Sequence, residues 1–122
     1  MPPRPGLTRA LYLDDLLDLV AGDVDLLREV AELGASDIER LLAALEDAPT
    51  AFAMVDLAHE LKGVLLNLTA APAAPLVAAV EVAARSGDHR TARLELERSR
   101  HVFDEVVAVL ASVAAASQRA AS

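Results

Sequence analysis

The sequence predicts an all-α protein, and three observations support this prediction. Hydrophobic residues make up 54% of the chain, yet only one Tyr and two Phe are among them. Most of the remainder are Ala, Leu and Val, and both Ala and Leu are strong helix formers. Strand patterns are nearly absent, since apolar and polar residues do not alternate and no Asn-Gly or Asp-Gly pair marks a hairpin. Helical segments joined by short breaks indicate an antiparallel up-down-up-down four-helix bundle with a short additional N-terminal helix.

The first two helices are predicted from Leu7 to Val20 and from about Val24 to Leu45. Between them, Gly22 follows one helix end and Asp23 is the expected N-cap of the next helix. Gly34 lies in the middle of the second helix, where glycine costs about 1 kcal/mol relative to alanine. The second helix keeps an apolar face over several turns. This face is predicted to comprise Leu26, Leu27, Val30, Leu33, Ile38, Leu41, Leu42 and Leu45.

Prolines mark the expected starts of the next two helices. The third helix is predicted from about Pro49 to Leu68, and the fourth from Pro72 to about Ser86. Proline suits the first helical position, because the N–H that it lacks would have no partner within the helix there.

The fifth helix is predicted from about His89 to Val113, after a Gly87-Asp88 break like the earlier one. Residues 114–122 are rich in Ala and Ser and are predicted to fray, and residues 1–6 contain three prolines and are predicted to be a flexible lead-in. One domain over residues 7–113 is therefore expected. The side chains of the fifth helix predicted to be buried are Ala92, Leu94, Leu96, Val102, Phe103, Val106, Val107 and Leu110.

Charge and composition exclude several functions. A net charge of −8 argues against binding to nucleic acid or to an anionic membrane, and it favours a soluble monomer. The chain has no cysteine, so thiolate metal sites and disulfides are excluded, and a reducing cytoplasm is compatible. The N-terminus lacks an apolar signal-peptide core. The uncharged stretch 64–80 contains two prolines and is too short to span a bilayer, so no membrane segment is expected.

One segment of the third helix carries an unusual set of residues, Ala58-His59-Glu60-Leu61-Lys62-Gly63. At about 100° per residue, the apolar residues of this segment form a core stripe and His59 points almost directly away from it. Lys62 and Gly63 lie three and four residues later, so they are surface neighbours of the imidazole. Three apolar residues that the core does not need share this outward face and suggest a partner surface: Phe52, Val55 and Leu66.

This A-H-x-L-K-G segment resembles the signature of histidine phosphotransfer (HPt) domains, the phosphocarriers of two-component phosphorelays. The resemblance covers roughly Asp23 to Leu110. It implies a helical bundle in which His59 accepts and donates a phosphoryl group. It also implies that the partners are receiver domains, of a hybrid sensor kinase or of response regulators. The receiver supplies Mg²⁺ and the exchanging aspartate, and the HPt domain itself needs no cofactor and is not an enzyme.

The residues themselves support this chemistry. An exposed imidazole, with a reference pKa of about 6.5, is largely neutral at cytoplasmic pH, so a ring nitrogen can attack an aspartyl phosphate. Lys62 is the only lysine in the chain, beside ten arginines, and its compact ammonium suits a moving phosphoryl group. Gly63 is unfavourable in a helix, yet it leaves a partner access to His59. An ordinary surface or core histidine is the alternative.

Two neighbouring residues have two interpretations each. Asp56 either fixes the tautomer of His59 by a hydrogen bond or is a solvated acidic residue near the docking surface. Arg85 either borders the face of His59, where HPt domains tend to place a polar or basic residue, or forms an i,i+4 pair with Glu81.

The chain also departs from the pattern of the HPt family at two positions. HPt domains usually have a small residue at the position of Val64, which lies at the core edge, and a glycine at the position of Thr69, which lies at the helix end.

Other sites and functions receive less support. His59-Glu60 lacks the second histidine of a zinc-protease motif, and His89 and His101 are expected to be ordinary surface residues.

Two alternatives to a phosphocarrier stay open. One is a scaffold that binds a receiver without accepting phosphate, and the other is a helical dimerisation module like those of histidine kinases.

Overall fold

A computed structural model describes residues 13–121, and over this range the chain is all-helical with no strand. The predicted lead-in and the first residues of the predicted first helix lie outside the described residues. None of the helices in the described range is long and apolar enough to cross a membrane. The helices are α1 (Leu13–Leu19), α2 (Val24–Asp47), α3 (Ala51–Asn67), α4 (Ala74–Arg85) and α5 (His89–Ala121), with a single 3₁₀ turn at Ala71–Ala73 before α4.

The two Gly-Asp breaks have the predicted structure. Gly22 and Gly87 adopt φ angles of +76° and +79°, which glycine accepts without a steric penalty. Asp23 caps α2, because its Oδ1 accepts the N–H of Leu26 at 3.0 Å. At the start of α5, the Oδ1 of Asp88 accepts the N–H of Thr91 at the same distance of 3.0 Å. Both helix starts are thus determined by short-range hydrogen bonds.

Three predicted helix boundaries are wrong: the starts of α3 and α4 and the end of α5. Thr50, rather than a proline, defines the start of α3, since its Oγ1 accepts the N–H of Ala53 at 3.1 Å and Pro49 precedes this cap. Pro72 lies in the 3₁₀ turn, and α4 begins two residues later. The fifth helix was predicted to end at Val113 but continues to Ala121. The alanines of this extension are good helix formers, and Ala114 is buried against the core.

Four helices contact one another in a closed pattern. α2 contacts α3 and α5, and α4 contacts the same two helices. The short α1 contributes Leu16 to the core, and Val20, in the turn that follows α1, is also buried there. The largest fully buried side chains of the four longer helices include Ile38, Leu41, Leu42, Leu45, Met54, Leu61, Leu65, Val77, Phe103 and Leu110.

Three leucines predicted to be buried are exposed: Leu26, Leu33 and Leu94. In α2 the buried stripe passes instead through Leu27, Ala31, Gly34 and Ile38, so the small residues lie inside. For α2 the prediction was wrong because it counted only large apolar side chains, whereas this helix buries alanine and glycine as well.

Gly34 has a packing role that its helix-breaking tendency does not suggest. A Cβ atom at this position would lie 2.6 Å from Cδ1 of Leu68 and 2.8 Å from its Cδ2. Leu68 is the C-cap residue of α3 and is itself buried. The glycine therefore allows the end of α3 to pack directly against the backbone of α2.

Candidate functional site

Helix α3 orients His59 away from the core. Ala58, Leu61 and Leu65 of this helix are fully buried, which determines the rotation of α3 about its axis. The side chain of His59 is 66% exposed as a result. The sequence-based prediction that the imidazole lies on the outer face of α3 is confirmed.

Gly63 lies beside His59 on an open surface. Within the described residues 13–121, and beyond the adjacent helix backbone, no heavy atom lies within 4 Å of the place that a Cβ atom at position 63 would take, in contrast to position 34. No contact with these residues therefore requires a glycine here, although glycine destabilises a helix interior by about 1 kcal/mol relative to alanine. The absence of a packing reason is consistent with a role in contact with a partner.

The centre of the site is the carboxylate of Glu81 in α4, which approaches α3 from the side. Its Oε1 lies 2.9 Å from Nδ1 of His59. Its Oε2 accepts a hydrogen bond from Nζ of Lys62 at 3.2 Å. The guanidinium of Arg85 reaches the same Oε1 through Nη2 at 3.4 Å. Glu81 is 6% exposed, so this carboxylate is buried under the three groups that it binds.

The composition of α4 explains how a carboxylate comes so close to α3. The helix has the sequence APLVAAVEVAAR, in which Glu81 is the only acidic residue. Ala74 and Val77 are buried on the same helix, and small side chains of this kind permit close approach of two helices. An acidic residue within an apolar helix face was the available sequence signal, but its partner on α3 depends on the register between the helices.

The pKa of the Glu81 carboxyl lies below its ordinary value of 4.5. Burial by itself raises this pKa, but hydrogen bonds from His59 and Lys62 and the positive charges of Lys62 and Arg85 outweigh the effect of burial. Glu81 is therefore an ionised carboxylate at neutral pH, and all of its hydrogen bonds are accepted ones.

This depressed pKa predicts a pH-dependent contribution to stability. Because the pKa is lower in the folded than in the unfolded protein, the carboxylate stabilises the fold fully above about pH 4.5. The contribution is lost as the pH falls through the folded-state pKa. Urea unfolding should therefore show a larger deficit of the Glu81→Gln variant relative to wild type at pH 7 than at pH 3. An equal deficit at both values would contradict the assignment, and Glu60→Gln on the exposed surface of α3 serves as control.

Asp56 is not the partner of the His59 ring that one interpretation predicted. Nδ1 is bound by Glu81, and Asp56 lies exposed on α3. The sequence predicted Glu81 only as a partner of Arg85, because the contact of Glu81 with His59 depends on the register between α3 and α4, which spacing within one helix does not give. The predicted Glu81–Arg85 pair is confirmed, and its position also brings Arg85 to the border of the face that contains His59.

The apolar residues around His59 differ in accessibility. Phe52 is 88% exposed, and Leu66 is also exposed. Val55 is partly buried against the core, so it is less available than predicted. Val82, next to Glu81 on α4, is an exposed apolar residue of this region that the sequence analysis did not identify.

The two departures from the HPt pattern lie where expected. Val64 is partly buried against the core. Thr69, after the end of α3, has a φ angle of +61°, in the left-handed region that favours glycine. The backbone thus adopts the conformation for which the family usually has glycine, with a threonine in its place.

No three His, Cys, Asp or Glu side chains of residues 13–121 form a group that would hold a metal ion.

Comparisons with protein-family models, with curated proteins and with solved structures find no match to this chain.

Proposed function

We propose that this protein is a histidine phosphotransfer domain that accepts and donates a phosphoryl group through His59. The observation that carries the proposal is the exposed imidazole, 66% accessible, anchored by a buried carboxylate and flanked by Lys62 and an unpacked Gly63. An ordinary surface histidine needs neither a buried anchor nor an adjacent helix glycine without a packing role.

The proposed architecture is an antiparallel four-helix bundle of α2 to α5 with α1 as an additional helix. Two contacts support the antiparallel direction of α2 and α3: Gly34 with Leu68, and Arg40 with Glu60 at 3.2 Å. The residue number rises along α2 while it falls along α3 between these contacts. The closed pattern of contacts among the four helices supports the same arrangement.

The proposed reaction exchanges a phosphoryl group with an aspartate of a receiver domain. The lone pair of an imidazole nitrogen attacks phosphorus, the P–N bond forms, and the P–O bond to aspartate breaks with its electron pair left on the carboxylate. The reverse step regenerates the neutral imidazole. Mg²⁺ belongs to the receiver, and this domain contributes the nucleophile and needs no cofactor of its own.

Lys62 is proposed to stabilise the phosphoryl group during transfer. Its ammonium donates one hydrogen bond to Glu81 and is partly accessible, so its other N–H groups are available to phosphoryl oxygens. A positive charge placed beforehand at this position stabilises negative charge on the transferring oxygens.

The proposed docking surface is the outer side of α3 and the adjoining side of α4, which we term the His59 face. Phe52 and Leu66 are exposed apolar residues of α3, and Val82 is one of α4. Clustered exposed apolar residues mark partner surfaces. Gly63 gives the receiver room to approach the ring. We propose that the protein acts as a monomer in the cytoplasm, where receiver domains operate. The His59 face comprises Phe52, Val55, Asp56, His59, Lys62, Gly63, Leu66, Val82 and Arg85.

The decisive test is transfer of labelled phosphate from phosphorylated receivers to the purified protein. Wild type should acquire label that is labile in acid and stable in alkali, as expected of a phosphohistidine. The His59→Gln variant should acquire none, and His101→Gln, which removes another exposed histidine, should behave as wild type.

The other outcomes separate the alternatives. Binding of a receiver by folded wild-type protein without any label would support the scaffold. A molecular size that grows with concentration, again without label, would support the dimerisation module. Label that persists in His59→Gln would show that another residue is the acceptor.

A further inference from the structure

We propose that the outer groove between α2 and α5 binds a cationic amphipathic helix of a partner protein. This groove, which we term the α2–α5 groove, has a volume of about 400 Å³. Its walls are residues 32–39 of α2 and residues 111–118 of α5. The inference goes beyond the proposed phosphotransfer and does not depend on it.

The length and the walls of the groove suit a third helix. On each of the two helices the lining extends over seven positions, which is about 10 Å or two helical turns. Because the distance between packed helices depends on the side chains at their contact, small residues let a further helix approach closely. Binding of an amphipathic helix in a groove is a common mode of peptide recognition. Most of the wall residues are alanine: Ala35, Ala111, Ala114 and Ala115.

The groove is already formed in the unbound protein, because the core holds the last turns of α5 in place. Val113 and Ala114 belong to the core, and Ser117 is buried. The hydroxyl of Ser117 donates a hydrogen bond to the carbonyl oxygen of Val113 at 2.8 Å. A partner therefore does not have to order this part of α5, which lowers the entropic cost of binding. Most of the α5 wall lies beyond Val113, where the sequence predicted the end of the helix.

The charges of the groove identify the partner as cationic. Glu32 and Glu39 are exposed carboxylates of the lining, seven positions apart on α2, and no basic side chain of residues 13–121 lines the groove. Neither carboxylate has an ion pair with any residue of that range. Lys or Arg side chains seven positions apart on a docked helix would lie opposite them. The net charge of −8 also favours the approach of a cationic partner.

The same carboxylates disfavour a second copy of this chain as the occupant. In a two-fold contact, the same surface patch of both copies meets. Glu32 and Glu39 of one copy would then approach those of the other, and like charges at short distance repel. A helix with its own cations would instead gain from this charge.

The α2–α5 groove and His59 lie on opposite sides of the protein. α2 contacts α3 and α5, and α4 contacts the same two helices, so the pair α2–α5 is opposite the pair α3–α4. The imidazole of His59, on α3, contacts Glu81 of α4. A helix in the groove therefore leaves His59 accessible, and two partners can be bound at once.

Three synthetic 15-residue helical peptides test the proposal on the full chain. All have Ala and Leu on one face, and they differ only in two residues seven positions apart, which are both Lys, both Gln or both Glu. The Lys peptide should bind about tenfold more tightly than the Gln peptide, through two exposed ion pairs, and the Glu peptide should bind most weakly. Calorimetry measures the affinities, and nitrogen-15 NMR should show shifts concentrated in residues 32–39 and 111–118. No binding of the Lys peptide, or shifts elsewhere, would overturn the proposal.

A matched pair of alanine variants shows whether the peptide lies in the groove. Ala115→Leu places a larger side chain in the lining and should weaken binding of the Lys peptide by about tenfold or more. Ala116→Leu changes the next residue, which is exposed outside the lining, and should bind as wild type. Both alanines are exposed and leucine is a good helix former, so both variants should fold. Equal binding by the two variants would contradict docking in the groove.

Charge variants test the chemistry of the partner. The double variant Glu32→Gln and Glu39→Gln should bind the Lys and Gln peptides equally. Glu29→Gln removes an exposed carboxylate of α2 outside the lining and should keep the preference for the Lys peptide. A preference that survives the double variant would show that the carboxylates of the groove do not select the partner.

Other occupants of the groove would give different results. A molecular size that grows with concentration, and that Ala115→Leu returns to the monomer, would assign the groove to a second copy. Competition between a receiver domain and the Lys peptide would assign it to the receiver. Either result would overturn the proposed partner. The expected results are a constant size and peptide binding that a receiver does not reduce.

Discussion

Replacement of Lys62 by glutamine should slow phosphoryl transfer from a receiver to His59 by about 10²–10³-fold, the usual cost of removing one group that stabilises a transition state electrostatically. The ammonium is held by Glu81 at 3.2 Å, so it is in place before a phosphoryl group arrives. The measurement is the single-turnover rate of label transfer at saturating receiver, which separates the transfer step from docking.

Two further variants make this result specific. Lys62→Arg keeps the charge but replaces a compact ammonium with a planar guanidinium, so an intermediate rate is expected. Arg40 of α2 pairs with Glu60, which lies elsewhere on α3. The Arg40→Gln variant removes this cation and should leave the transfer rate unchanged. A rate for Lys62→Gln equal to that of wild type would show that the lysine is a structural partner of Glu81 only.

Gly63→Ala should stabilise the domain and impair transfer at the same time. Beyond the adjacent helix backbone, no residue of the described range lies within 4 Å of the place that a Cβ atom at position 63 would take, so the free energy of unfolding should rise by about 1 kcal/mol, the difference in helix propensity. The added methyl group lies next to His59 on the docking surface. A small displacement of the reacting atoms is costly, and transfer from a receiver should slow by about tenfold or more. Urea unfolding and label transfer measure the two effects.

Two controls isolate the cause. Phosphorylation of Gly63→Ala by phosphoramidate should match wild type, because a small donor needs no docking surface. Gly34→Ala changes another mid-helix glycine, but its methyl group would lie 2.6 Å from Leu68, so this variant should not gain the same stability. If Gly63→Ala is more stable and transfers phosphate as fast as wild type, the glycine has no role in partner access.

Local patterns in the sequence were sufficient for several features of the fold. The abundance of Ala and Leu and the absence of strand patterns predicted an all-helical chain, which the structure shows over residues 13–121. The Gly-Asp breaks predicted two helix starts, because an N-cap hydrogen bond joins residues only three positions apart. The outward direction of His59 was predictable for the same reason, since it depends only on the 3.6-residue period and on which residues of α3 are buried.

Other features required the packing of one helix on another. Leu26 and Leu33 are apolar but exposed, because α2 turns its small residues toward its neighbours. Gly34 has a steric function only because Leu68, distant in sequence, packs over it. The predicted end of α5 was wrong because the burial of Ala114 is a tertiary effect, which an Ala/Ser-rich sequence does not indicate.

The features of the candidate site also fall into those that the sequence determined and those that the tertiary structure determined. Sequence by itself determined the helix, the outward imidazole and its neighbours Lys62 and Gly63, because each depends on spacing within one helix. The tertiary structure alone decided that Glu81, 22 residues away and buried, binds the ring in place of Asp56. The physical reason is that a hydrogen bond between helices depends on their register and separation, and the side chains of the whole core set both.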